Sequence, residues 1–181
     1  AYSDGVDLVP DQIYQVYEEK HILPKTAAIN AAEYVEYFKK WTDQGYEVIH
    51  VTLGSGLSAT YQNCCLAAKE LPGVYPIDSR NLSTGSGLVV LEAADRIAKG
   101  MPAAQIAKEV QELPSRCHAS FVIDTLEFLY KGGRCSALAM LGANMLKLKP
   151  CIEVNNADGS MNVGKKYRGS LDKALEQYVH D

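Results

Sequence analysis

The chain has 181 residues, more than the commonest domain of roughly 100 to 150 residues and fewer than two full-sized ones. With 47% hydrophobic and 22% charged residues it can bury a substantial core, which rules out disorder as its ground state. A net charge of -4, from 18 basic and 22 acidic residues spread along the chain, offers no electrostatic footprint for nucleic acid or an anionic membrane.

No run approaches the roughly 18 consecutive apolar residues of a spanning helix. Ala1-Tyr2-Ser3-Asp4 opens neither a signal peptide nor a lipidation motif, so a soluble, cytoplasmic protein is expected. The 5 cysteines are odd in number and form no CxxC pair, which points to reduced thiols rather than a disulfide framework or a zinc site. The chain lacks an initiator Met and closes in an amphipathic stretch without a stop signal, so it reads as a fragment.

Ile13, Val16 and Tyr17 predict a helix over Pro10 to Lys20, broken by Leu23-Pro24-Lys25-Thr26-Ala27. Tyr34, Val35, Phe38 and Trp41 predict a second over Ala31 to Thr42. Glu47 to Leu53 is β-branched and mostly apolar on both faces, as a buried parallel strand would be. Gly54-Ser55-Gly56-Leu57-Ser58 turns out of it into a helix from Tyr61 to Leu71. The cycle repeats with a strand at Val74 to Ile77, a glycine-rich turn at Ser83 to Gly87 and a helix from Leu88 to Lys99. A further helix covers Ala103 to Glu112, and Ala119 to Ile123 reads as another strand. The alternation argues for a βαβ-built parallel sheet.

After Asp124 the pattern changes. A helix over Leu126 to Lys131 ends in Gly132-Gly133-Arg134, and a mainly helical stretch is expected up to Lys147. Asp158-Gly159 lies between extended runs at Pro150 to Val154 and Met161 to Lys166, a hairpin signal that points to an antiparallel second domain. A hinge is expected between Pro114 and His118. The expected division is 1–115, an α/β domain, and 116–181, the start of an antiparallel-sheet domain.

The strongest local feature is Leu53-Gly54-Ser55-Gly56-Leu57-Ser58-Ala59-Thr60. Such a turn places backbone N–H groups and a helix N-terminus at the carboxyl edge of a sheet, where anions bind in open α/β folds. The alternative is that Ser58 is simply the N-cap of its helix. The turn has no P-loop lysine, no GxGxxG and no nucleophile elbow, which disfavours a nucleotide loop and a serine hydrolase. Thr26 offers a hydroxyl from a breaker-rich loop, or is an ordinary loop threonine. Arg134 follows two glycines that could aim its guanidinium at an anion, or it is a solvated helix end. His21, His50, His118 and His180 have no partners at triad or metal-ligand spacing, and His50 reads as a core histidine. Asp78 and Asp124 end strands and are as fitted to cap turns as to meet a substrate. No catalytic residue, metal ligand or cofactor is indicated.

These segments resemble the DegV family, bacterial proteins that include the fatty-acid-binding subunits of fatty acid kinase. The matching stretches are Asp4 to Leu8, Pro24-Lys25-Thr26, Leu57 to Gln62, Ile77-Asp78-Ser79 with Ser83 to Gly87, and Thr125 to Arg134. Leu146 to Pro150, Asp158-Gly159 and Lys166 to Gly169 continue it to the end. The resemblance implies a three-layer α/β/α domain with a mostly parallel sheet and a second α+β domain with an antiparallel sheet, truncated here at both ends, the first lacking its opening strand. It implies a tunnel between domains for one long-chain fatty acid, whose carboxylate would be bound by Thr26, Ser58 and the backbone N–H of Ala59, with Arg134 near the head group. It further implies that the chain is not itself catalytic. A partner kinase, the ATP-binding subunit, would phosphorylate the presented carboxylate to an acyl phosphate for phospholipid metabolism, with only transient membrane contact. Departures from the family pattern are Ala27 for serine, Gly54 for serine, Cys135 for a β-branched residue, and Ala59 for glycine, which adds a methyl beside the head-group site.

A second reading is an enzyme or substrate-binding domain for a small phosphorylated or carbonyl metabolite, since DegV folds resemble dihydroxyacetone-kinase substrate domains. These loops lack the covalent-anchor histidine it would want. A third reading is a fragment that binds nothing.

Overall fold

The computed structural model describes residues 2–3, 5–136, 138–139, 141 and 148–181. Asp4 and Leu146-Lys147 of the matched segments, and the helical stretch expected up to Lys147 beyond residue 141, lie outside the described residues.

Helix α1 spans Pro10–Lys20, starting on a proline whose missing N–H costs nothing in the first turn. Helix α2, Ala31–Thr42, is fixed by a reciprocal cap. Asn30 Oδ1 accepts from the Glu33 N–H at 3.0 Å, and a Glu33 carboxylate oxygen accepts from the Asn30 N–H at 3.0 Å. Four residues apart, Tyr34 and Phe38 fall on one face of it and are buried, their rings stacked with centroids 5.3 Å apart.

Strand β1, Val48–Thr52, pairs in parallel with β2, Val74–Asp78. Alternation along β1 sorts its two faces. Val48 packs with Tyr34, Phe38, Cys64, Ala67 and Val74 beneath α2 and α3 (Thr60–Ala68). Ile49 and Val51 pack with Ile77, Val89, Ala93, Ile106 and Val110 beneath α4 (Ser83–Ala98) and α5 (Ala103–Val110). Helix, sheet and helix therefore form three layers. Each large aliphatic side chain buried between them contributes roughly 1.5 to 3 kcal/mol.

His50 sits on the α2 face, its ring edge-on to Tyr34 and Phe38 at 5.3 and 5.2 Å. Burial pushes its pKa below the ordinary 6.5. A lowered folded-state pKa gives stability that is present above the unfolded value and lost as pH falls towards the folded one. Melting temperature should thus fall more steeply between about pH 7 and pH 5 in the parent protein than in His50→Gln, as thermal denaturation across that range will read.

Two expectations are corrected here. The glycine-rich stretch at Ser83 to Gly87 is the first turns of α4, not a turn leading to it. Gly85 faces the buried Asn81, and a Cβ there would lie 2.0 Å from Asn81 Oδ1, so the glycine answers a packing demand rather than a turn. The Ala119–Val122 strand, β3, does not continue the parallel alternation. A 3₁₀ turn at Leu113–Arg116 intervenes, and β3 pairs antiparallel with β4, Lys149–Val154. Its Phe121 packs with Leu126, Leu138 and Ile152.

Strand β4 pairs antiparallel with β5, Met161–Tyr167, through the turn at Asp158-Gly159, where Gly159 has φ of +78°. Helix α6, Glu127–Gly132, lies N-terminal to β4. Ile152, Val154 and Met161 face the cluster that includes Leu126 and Leu138, while Cys151 and Tyr167 face α7, Leu171–His180. Leu57, from the turn after β1, is buried in the first of these clusters and so joins the three-layer part to the antiparallel sheet.

Candidate functional site

The turn after β1 is fastened from beneath. Gly54 N–H donates to Asn81 O at 2.8 Å, and its missing side chain is required because a Cβ would lie 2.8 Å from Asn81 N. Asp78, at the end of β2, is buried and accepts from the Ser55 N–H at 3.0 Å and the Arg80 N–H at 2.9 Å through one oxygen. One carboxylate thus binds the turns that leave both parallel strands. This is the turn-capping alternative for Asp78, and it makes the residue an organiser of the site's floor. Asp124 ion-pairs with Lys149 at 2.6 Å.

Helix α3 begins at Thr60 with Ala59 as its cap residue, so Ser58 is not the N-cap. Instead Ser58 Oγ accepts from the Thr60 N–H at 3.2 Å, and the two hydroxyl oxygens are 2.6 Å apart. The hydroxyl–hydroxyl contact uses one of the two protons, which leaves the other to donate to a third group.

Thr26, Ser58, Thr60 and Arg134 line a single cavity of about 360 Å³. The rest of its wall is Ala27, Ala28, Ile29, Leu53, Leu57, Leu82 and Met161. Three elements therefore deliver the polar groups: the irregular segment between α1 and α2, the turn before α3, and the segment after α6. The last is shaped by Gly133, left-handed at φ of +71°, whose N–H closes on Tyr130 O at 3.0 Å. Arg134 is exposed and its Nη1 donates to Gly132 O at 2.7 Å, so the guanidinium is steered by the helix end while lining the cavity. Ala59 is exposed and is not part of the cavity wall. Its methyl therefore leaves the cavity unobstructed. Ser55 is likewise absent from the wall.

Leu82 and Met161 carry no binding signal in the sequence. Each is one apolar residue beside a strand or helix end, and only the long-range packing reveals its role. A larger groove of about 740 Å³ runs along the open edge of β1, between α2 and α5, lined by Tyr37, Trp41, Tyr46, Met101 and Ile106 among others. Size favours it; chemistry favours the smaller cavity, where three hydroxyls and a guanidinium converge on an otherwise aliphatic space. Among the described residues no group of three His, Cys, Asp or Glu is placed to hold a metal ion, and no helix is long and apolar enough to cross a membrane.

A family model described as "Uncharacterised protein, DegV family" matches residues 1–180. A DegV domain-containing protein of Clostridium perfringens is 36% identical over 183 residues, covering 98% of this chain and 65% of the relative. The structure of a DegV family protein from Thermus thermophilus, reported for its fatty acid binding, superposes with a TM-score of 0.86 at 28% identity, covering 99% of this chain and 63% of that one. DegV of Bacillus subtilis, described as a fatty acid binding protein, gives 0.77 at 28% identity, covering 97% and 62%. The chain spans 65% of the length of the Clostridium relative. It belongs to the DegV family.

Proposed function

We propose that this DegV family chain supplies the binding site of a carrier that holds a long-chain fatty acid and presents its carboxylate to a partner kinase. The observation that carries this reading is the convergence of Thr26, Ser58, Thr60 and Arg134 on one aliphatic cavity. The fatty acid binding of the Thermus thermophilus and Bacillus subtilis relatives supports it. In this reading residues 1–115 supply the hydroxyls and 116–181 the guanidinium and part of the apolar wall.

The physics divides the work between tail and head. Burying each methylene contributes about 0.8 kcal/mol, so a chain of about 16 carbons contributes on the order of 10 kcal/mol before association costs. A carboxylate removed from water needs hydrogen bonds in exchange, and hydroxyl protons with a nearby guanidinium provide them. In this reading the chain binds and presents the carboxylate, and the partner kinase carries out the phosphoryl transfer. Acyl phosphate forms when the presented carboxylate oxygen attacks the terminal phosphorus of ATP on the partner and ADP departs. Arg134, exposed and in the cavity lining, is the group proposed to meet that partner.

Organic extraction of the purified protein followed by mass spectrometry should release a long-chain fatty acid. Recovery of none, together with no uptake of added oleate or palmitate, would contradict the reading.

A further inference from the structure

Helix α1 buries none of its side chains. Among the described residues, every hydrogen bond and ring contact that it makes to another element goes to α6. Tyr14 and Tyr17 set their rings edge-on to Phe128 at 5.5 and 5.1 Å. The Tyr17 hydroxyl donates to Glu127, the Lys131 ammonium donates to that same hydroxyl, and Lys131 pairs with Glu127 at 2.7 Å. The ammonium also lies 4.6 Å from the centre of the Tyr17 ring. Lys131 and the Tyr17 hydroxyl together hold the Glu127 carboxyl below its usual range.

The two elements joined here each lead straight to residues that line the cavity. Three residues beyond Lys131, Arg134 lines it; from the other side, α1 runs into residues 21–30, which carry Thr26 to Ile29 and have no regular structure. The far end of that segment is fixed, since Asn63 donates to Ile29 O at 2.8 Å and Asn30 caps α2. Among the described residues the only hydrogen bond at its near end is from the His21 N–H to Tyr17 O, back into α1. We infer that Tyr17, Glu127 and Lys131 form a positioning latch that holds the Thr26 wall against the Arg134 wall and so sets how fast the cavity admits and releases its ligand. The inference rests on the fatty-acid reading of the cavity.

A latch of this kind governs rates more than affinity, because opening precedes both entry and exit. Stopped-flow fluorescence with cis-parinaric acid on the intact protein tests it. Tyr17→Phe keeps the ring on Phe128 and removes the hydroxyl. It should raise the association and dissociation rates together by about fivefold, the effect of losing one or two partly exposed hydrogen bonds, with Kd changed less than about twofold. Lys131→Met should do the same, and the double variant should add little more, since all three groups serve one contact. Unchanged rates in Tyr17→Phe, or a loss of affinity without faster association, would overturn the latch. If the parent protein takes up no parinaric acid, the ligand reading fails instead, and hydrogen exchange of residues 21–30 without ligand then decides the latch: faster exchange in Tyr17→Phe supports it, unchanged exchange overturns it.

Discussion

Replacing Thr26 by Val and Ser58 by Ala together should weaken long-chain fatty acid binding by about a hundredfold, while the melting temperature changes little. Thr26 makes no hydrogen bond within the described residues, and Thr26→Val keeps its shape, so the substitution has no internal partner to orphan. Among the described residues the Ser58 hydroxyl hydrogen-bonds only to Thr60, its neighbour in the same turn. Both side chains line the cavity, so their removal takes two donors from a carboxylate that has left water, each worth on the order of 1.5 kcal/mol or more. Isothermal titration with oleate measures the loss. Ser55→Ala is the matched control: its backbone N–H, not its hydroxyl, is the group bound to Asp78, and it lies outside the cavity wall, so affinity should be unchanged. A double variant that binds as tightly as the parent would remove both hydroxyls from the site.

Gly56→Ala should destabilise the protein by about 2 kcal/mol, the scale of overpacking against backbone that cannot move aside. A Cβ on Gly56 would lie 2.4 Å from Asp158 O and 2.9 Å from Ser160 N. That hairpin turn is held on its own side. Asn155 N–H donates to Ser160 O at 2.8 Å, Gly159 N–H donates to Asn155 O at 2.6 Å, and the Arg80 guanidinium reaches Ala157 O at 3.4 Å. The glycine is therefore where the three-layer part and the antiparallel sheet meet backbone to backbone, one residue before Leu57 enters the shared core. Ligand binding should weaken with stability, because Ser58 and Met161 are drawn apart across the same contact. Gly87→Ala is the counterpart. A Cβ there meets nothing within 4 Å in the interior of α4, so this variant should gain about 0.5 to 1 kcal/mol. Urea denaturation of the two variants should show shifts of opposite sign; shifts of the same sign would mean that the close approach at Gly56 is not the cause.

Helices α1 and α2 are legible to their ends, because the apolar spacing of Ile13, Val16 and Tyr17 and of Tyr34, Val35, Phe38 and Trp41 is helical up to the next breakers. The parallel strands and the Asp158-Gly159 turn were legible for the same kind of reason, a local pattern with a local cause. Ser83 to Gly87 misled because glycine near a strand end reads as a turn, and its real cause, the side chain of Asn81, sits four residues away from Gly85 and is buried. The partner of β3 is not legible at all: a four-residue strand with three apolar side chains pairs equally well either way, and the choice is made by Ile152 and Cys151 some thirty residues on. For the site, the hydroxyl-rich turn stood out on chemistry. That Thr26 and Arg134 share its cavity came from likeness to a family, since nothing in their spacing brings residues over a hundred positions apart together. The backbone N–H of Ala59 is implied by the same likeness, and Ala59 is not among the residues that line the cavity. The latch residue Tyr17 read as one more aromatic on a helical face.

Paired titrations of the protein with oleate and with oleyl alcohol test the central claim most directly, because the two ligands share a tail and differ only at the head. If Thr26, Ser58, Thr60 and Arg134 form a carboxylate site at the end of an aliphatic cavity, oleate should bind about a hundredfold more tightly, and the Thr26→Val, Ser58→Ala protein should bring the two close to equal. Equal affinity of the parent protein for acid and alcohol, or no binding of either, would contradict it.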